Sequence, residues 1–63
     1  MSEQIWRLPR VLAATGMGRS WIYKAISDGQ FPTPVRLGAR AVGWKRTEVE
    51  AWLKDRPRKE QRK

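Results

Sequence analysis

Residues 15–24 read Thr-Gly-Met-Gly-Arg-Ser-Trp-Ile-Tyr-Lys. Gly16 can adopt a left-handed backbone conformation at little steric cost, so it suits the end of a first helix. A second helical pattern begins two residues later. So short a connection makes the second helix cross the first at a steep angle. The stretch therefore predicts a helix-turn-helix, a motif whose second helix enters the major groove of DNA.

The helices on each side of this turn follow from the spacing of apolar residues. Residues 5–8 form a short extended lead-in, and a proline then opens a first helix predicted over residues 9–14. The second helix is predicted over Arg19–Ser27, because Ile22 and Ile26 lie four residues apart and share one buried face. The opposite face of this helix then carries Ser20, Lys24 and Ser27.

The second half of the chain predicts a hairpin and a last helix. Residues 35–37 and 42–44 alternate in polarity around a glycine-bearing turn, which is typical of a β-hairpin that packs against helices. The last helix begins near Arg46 or Thr47, and the capping-box spacing of Thr47 and Glu50 favours Thr47 as the N-cap. The large apolar residues predicted to be buried are Trp6, Phe31, Trp44, Val49, Trp52 and Leu53.

Element order and charge give the fold class and the kind of partner. Helix, turn, helix, hairpin and helix describe a mainly α winged helix-turn-helix with a small β-hairpin wing. The 63 residues suffice for one small domain, predicted over residues 1–55, with a basic, disordered tail over residues 56–63. Lys and Arg number 14 against six Asp and Glu, a formal net charge of +8. A domain this basic is attracted to polyanions, and nucleic acid is the commonest one.

Missing residue types argue against an enzyme. The chain has no cysteine and no histidine, so it lacks thiolate ligands, the commonest metal ligand and the usual general base. Glu48 and Glu50 would point to different faces of a helix and cannot form a paired-carboxylate site. We therefore expect no catalytic residue, metal, cofactor or small-molecule ligand. No signal segment or membrane-spanning run is evident, which predicts a cytoplasmic, nucleoid-associated protein.

Several ordered blocks between Ile5 and Leu53 closely resemble the AlpA family of prophage regulators. The resemblance implies a MerR-like DNA-binding domain related to phage excisionases, and a prophage-borne protein that regulates transcription, often near an integrase gene, or assists excision. Two positions depart from the family pattern: Gly18 stands at an N-cap where serine is usual, and Trp21 stands where a small residue, often threonine, is usual. The blocks that match are residues 7–12, 15–23, 31–38, 42–44 and 48–53.

The candidate DNA contacts lie on the second helix and on the wing. Arginine can read guanine bidentately, whereas lysine more often binds phosphate as a point charge. A wing arginine is expected on the phosphate backbone or in the minor groove. Trp21 is expected to be exposed. Three roles remain open for its indole: covering the turn, contacting DNA sugar or thymine methyl groups, and self-association. For Tyr23, both packing in the core and contact with a DNA phosphate remain open. The candidates are Arg19, Ser20, Trp21, Tyr23 and Lys24 on the helix, Arg36 and Arg40 on the wing, and Lys45 and Arg46 as further phosphate contacts.

Four functions compete at this stage. The first is a sequence-specific transcriptional regulator bound to double-stranded DNA, with RNA polymerase as a partner and cooperative self-association on repeated sites. The second is an excisionase that bends DNA for an integrase. The third is a basic module that binds and inhibits an acidic protein. The fourth, an RNA-binding protein, is disfavoured because the sequence predicts no sheet aromatics on which bases would stack.

Overall fold

The computed structural model of the chain describes residues 3–57. Three helices pack with a three-stranded antiparallel sheet whose strand order is β1-β3-β2. This arrangement confirms the winged helix-turn-helix, with β2 and β3 as the wing. Residues 58–63, most of the predicted tail, lie outside the described residues. In chain order the elements are β1 (Ile5–Trp6), α1 (Leu8–Thr15), α2 (Arg19–Ser27), β2 (Val35–Arg36), β3 (Val42–Lys45) and α3 (Arg46–Lys54).

The turn between α1 and α2 has the predicted geometry. Gly16 is left-handed, with φ of 75°, and its N–H donates to the carbonyl of Leu12 at 2.8 Å. The Thr15 hydroxyl donates to the carbonyl of Val11 at 2.9 Å and accepts the N–H of Met17 at 3.2 Å. These bonds satisfy polar groups at the end of α1, so the chain can reverse within three residues.

The core is small and centres on Trp44. This side chain is fully buried, and its indole N–H donates to the carbonyl of Pro32 at 2.9 Å. Trp52, predicted to be buried, is only half-buried and packs at the edge of the core. Its indole N–H needs an acceptor and finds one at the surface, the carbonyl of Gln30 at 2.6 Å. The other residues buried in the core are Trp6, Val11, Ile22, Ala25, Phe31 and Val49.

The lead-in is a strand of the sheet, which the sequence indicated only as extended chain. Trp6 pairs with Trp44 across β1 and β3, and both face the core. On the opposite face Gly43 lies beneath the side chains of Ile5 and Leu37. Apolar side chains from β1 and from the residue after β2 therefore lie over a position that has no side chain of its own.

The start of α3 agrees with the prediction, but its N-cap does not. The helix begins at Arg46, its N-cap is Lys45, and no side chain caps it from that position. The expectation of Thr47 as N-cap is wrong: Thr47 lies inside the first turn, where a carboxylate distant in sequence, Glu3, accepts its hydroxyl at 2.8 Å and its N–H at 3.3 Å. Glu50 instead pairs with Arg46 at 3.4 Å.

Gly43→Ala should destabilise the fold. A Cβ at this position would lie 2.5 Å from Ile5 Cγ2 and 3.2 Å from both Leu37 Cδ1 and the backbone oxygen of Trp6. Overpacking of this kind costs about 1–3 kcal/mol. Gly38→Ala is the matched control, because a Cβ there meets nothing within 4 Å. Urea unfolding measures both, and equal midpoints for the two variants would contradict the packing argument.

Thr47→Val should raise the pKa of Glu3. The pKa of this exposed carboxyl lies below its ordinary value of 4.5, first because the Thr47 hydroxyl and then because the Thr47 N–H donates to the ionised form. A depressed pKa stabilises the fold above pH 4.5, and that contribution is lost as pH falls through the folded-state value. An NMR titration of Glu3 checks this, with exposed Thr33→Val as the control. An unchanged Glu3 titration in Thr47→Val would refute the cap.

Candidate DNA interface

Helix α2 presents a polar face to solvent. Ile22 is fully buried and Ala25 nearly so, which confirms the predicted rotation of the helix. Ser20 and Lys24 therefore lie on the side opposite the core, with Arg19 and Tyr23 on one flank. All five predicted contacts of this helix are exposed: Arg19, Ser20, Trp21, Tyr23 and Lys24.

The charges on this face are only partly compensated. Lys24 Nζ lies 3.3 Å from the Asp28 carboxylate, and its side chain is 78% exposed. An exposed pair one turn apart is weak, so a phosphate could replace Asp28 as the partner of Lys24. Within residues 3–57 no carboxylate lies within 4.0 Å of the Arg19 guanidinium. The first turn of α2 therefore carries a cation available to DNA.

Helix α2 lacks a side-chain cap. Gly18 is the N-cap, with extended φ and ψ of −85° and 168°, and the first turn contains no acidic residue. Its N–H groups and positive dipole end are therefore free to face an anion such as a DNA phosphate.

The wing carries two exposed arginines. Arg36 lies on β2 opposite Val42, and Arg40 lies in the turn that joins the strands. The N–H groups of Leu37 and Gly38 both donate to the carbonyl of Ala41, at 2.7 and 3.2 Å, and close this turn. Neither arginine forms an ion pair with any described carboxylate. The wing tip is therefore a cationic projection suited to a phosphate backbone.

Lys45 and Arg46 differ in their exposure and in their partners. Lys45 is exposed at the end of β3. Arg46 is half-buried, its N–H donates to the carbonyl of Gln4 at 2.8 Å, and its side chain faces Glu50. A phosphate contact by Arg46 would have to compete with Glu50, so Lys45 is the more accessible of the two. Contact of either residue with DNA stays a prediction.

Trp21 is exposed, as predicted, but it also has a partner that the sequence did not indicate. Its side chain is 42% exposed, and its ring meets Trp52 of α3 edge-on, with centroids 6.1 Å apart. Arg56, the first residue of the predicted tail, lies over the Trp52 ring at 4.5 Å. The contact between Trp21 and Trp52 joins positions 31 residues apart, so no local spacing in the sequence could reveal it, whereas Arg56 and Trp52 lie only four residues apart.

Acidic residues are concentrated away from α2 and the wing. Glu48, Glu50 and Asp55 belong to α3 and its C-cap, and Glu3 contacts the first turn of that helix. Asp28 is the one described carboxylate next to the polar face of α2. In residues 3–57 no three His, Cys, Asp or Glu side chains form a metal-binding group, and no helix is long and apolar enough to cross a membrane.

Comparison with known proteins places this fold in a family. The family model described as prophage CP4-57 regulatory protein (AlpA) matches residues 4–57, nearly all of the chain. The chain belongs to the AlpA family. This confirms the resemblance seen in the sequence blocks, and the match covers both helices of the motif, the wing and α3.

Two relatives are similar to this AlpA-family chain over most of its length. The DNA-binding transcriptional activator AlpA of Escherichia coli strain K12 is 39% identical over 59 aligned positions, and the match covers 84% of this chain and 84% of the relative. An uncharacterized protein, ORF88, of Enterobacteria phage P4 is 43% identical over 54 residues. That alignment covers 86% of this chain and 61% of the phage protein.

Asp28→Asn should tighten binding to every duplex DNA sequence. The substitution removes the carboxylate beside Lys24, which would otherwise repel phosphates near α2. A unit charge about 10 Å from a phosphate contributes about 0.4 kcal/mol in water, so the expected gain is about twofold. Fluorescence anisotropy with labelled duplexes measures it. Glu48→Gln removes the same charge from α3 and should act less; equal effects would mean that net charge alone matters.

Proposed function

We propose that this chain is a sequence-specific double-stranded DNA-binding protein that regulates transcription of prophage genes. The observation that carries the proposal is the exposed polar face of α2, which follows a tight turn and carries Arg19 and Lys24 outward. Membership of the AlpA family supports it, as does the E. coli relative's name, a DNA-binding transcriptional activator.

In this proposal α2 enters the major groove and the wing follows the adjacent backbone. Arg19 reads a guanine, Ser20 permits close approach of the helix, and Lys24 binds a phosphate. Arg40 and Arg36 hold the phosphate backbone or the minor groove beside the α2 site. RNA polymerase is the proposed protein partner, and the cytoplasm is the proposed location.

Two alternative functions also involve nucleic acid. An excisionase would bend DNA for an integrase through the same helix and wing, and the activator name of the E. coli relative favours regulation. An RNA-binding sheet would need exposed aromatics, whereas Trp6 and Trp44 face the core. Gel-shift assays with circularly permuted DNA test bending, and strong bending that changes integrase products without polymerase would favour the excisionase.

DNase footprinting on DNA that flanks the protein's own gene tests the proposal at several salt concentrations. Protection of a defined site, with log affinity that falls steeply as log salt rises, is the expected result. Uniform protection without a preferred site would contradict sequence-specific regulation. A flat salt response would contradict phosphate contacts altogether.

Arg19→Ala and Arg40→Ala should have different effects on DNA binding. Loss of a base contact at Arg19 should cost about 1–3 kcal/mol and relax specificity at one position. Loss of Arg40 should weaken binding to all sequences and reduce the salt slope by about 1. Lys54→Ala, an exposed cation of α3, controls for charge alone. If Arg19→Ala leaves site preference intact and matches Lys54→Ala in affinity, α2 is not the recognition helix.

A further inference from the structure

An aromatic cluster links the recognition helix to the last helix. We define it as Trp21, Phe31 and Trp52. Trp52 meets Trp21 edge-on at 6.1 Å and 67°, and it meets Phe31 edge-on at 4.8 Å and 69°. Phe31 is buried in the core, whereas Trp21 is largely exposed. The cluster therefore runs from the core to the surface beside the polar face of α2.

Trp52 is held in one position by three further contacts. Its indole N–H donates to the carbonyl of Gln30 at 2.6 Å, just beyond the end of α2. Arg56 covers its ring at 4.5 Å, and Arg56 Nε donates to the Trp52 carbonyl at 3.3 Å. Gln30 in turn donates its N–H to the carbonyl of Ala25 at 2.7 Å. A side chain anchored in this way gives Trp21 a fixed surface.

The first turn of α2 has few other restraints. Gly18 provides no side-chain cap, and Ile22 is the first fully buried residue of the helix. Arg19 and Ser20 precede Ile22 and are exposed, and the ring contact between Trp21 and Trp52 joins this turn to α3. A small rotation here would move the Arg19 guanidinium relative to a base edge. Because a bidentate contact tolerates little misalignment, this movement would weaken discrimination between bases.

We propose that Trp21 is a positioning residue: its edge contact with Trp52 orients the first turn of α2, and so sets how strongly the protein discriminates one DNA site from others. The inference rests on the proposed DNA-binding function. It replaces the sequence-based hypothesis that the indole itself packs on DNA sugar or a thymine methyl. It also assigns a role in specificity to Trp52, a residue of α3 that lies outside the predicted interface.

A double-mutant cycle on DNA discrimination tests the proposal. The variants are Trp21→Thr, Trp52→Leu and the combination, and the quantity is the ratio of affinities for the footprinted site and for unrelated duplex DNA. Each single change should lower this ratio about two- to tenfold, the range of an aromatic edge contact. The affinity ratio of the double variant should be no lower than that of the single variant with the lower ratio, because both substitutions remove the same contact. Trp21→Phe should keep most of the ratio.

The control separates positioning from stability. Leu53→Ala truncates a half-buried residue of the same helix without removing an aromatic ring. It should lower the melting temperature and leave the affinity ratio unchanged, with every variant measured where circular dichroism shows it folded. If Trp52→Leu behaves as Leu53→Ala does, the cluster is only structural. A loss of discrimination in Trp21→Thr alone would mean that Trp21 touches DNA directly. Either result overturns the proposal.

A measurement without DNA keeps this inference distinct from the proposed function. Amide resonances of Arg19 and Ser20 in the free protein should shift in Trp52→Leu and stay in place in Leu53→Ala, since the contact exists before DNA binds. Unmoved resonances in both variants would refute the coupling of the cluster to α2. Failure of the wild-type protein to bind DNA, with the resonances shifted as expected, would refute the DNA-binding function and leave the coupling established.

Discussion

The rest of the structure depends on the burial of Trp44. It lies on β3, the central strand of the sheet, and β3 runs directly into α3. Because its indole N–H is bonded to Pro32, the ring also anchors the segment that follows α2. A core of so few residues buries little area, and one large satisfied indole supplies much of it. The wing and the recognition helix are thereby held on one rigid centre.

Charge is arranged around that centre by which groups find partners. The described carboxylates mostly serve α3 or its neighbours: Glu3 receives the Thr47 donors and Glu50 faces Arg46. Arg19 and Arg40 have no such partner among residues 3–57. Arg19 and both wing arginines are therefore among the described cations without an ion pair, and their positive charge suits a surface that meets a phosphate backbone.

Local physics explains what could be predicted about the fold. The left-handed Gly16, the rotation of α2 about Ile22 and the hairpin depend on residues a few positions apart, and all three were confirmed. Thr47 was wrong as the N-cap of α3: Lys45 holds that position, and Glu3, 44 residues before Thr47, accepts the hydroxyl and N–H of Thr47. The burial of Trp52 was overestimated because helical spacing gives the face of a residue but not the polar acceptor its indole requires.

The features of the candidate interface likewise divide into those set by the sequence and those set by the tertiary structure. The sequence by itself determined the helix-turn-helix, the basic character and the identity of the outward residues of α2, because helical period and net charge are properties of composition and spacing. Only the tertiary structure decided that β1 completes the sheet, that Glu3 caps α3 and that Trp21 meets Trp52. These contacts join segments far apart along the chain, and their formation depends on how the whole core packs, which no local pattern encodes.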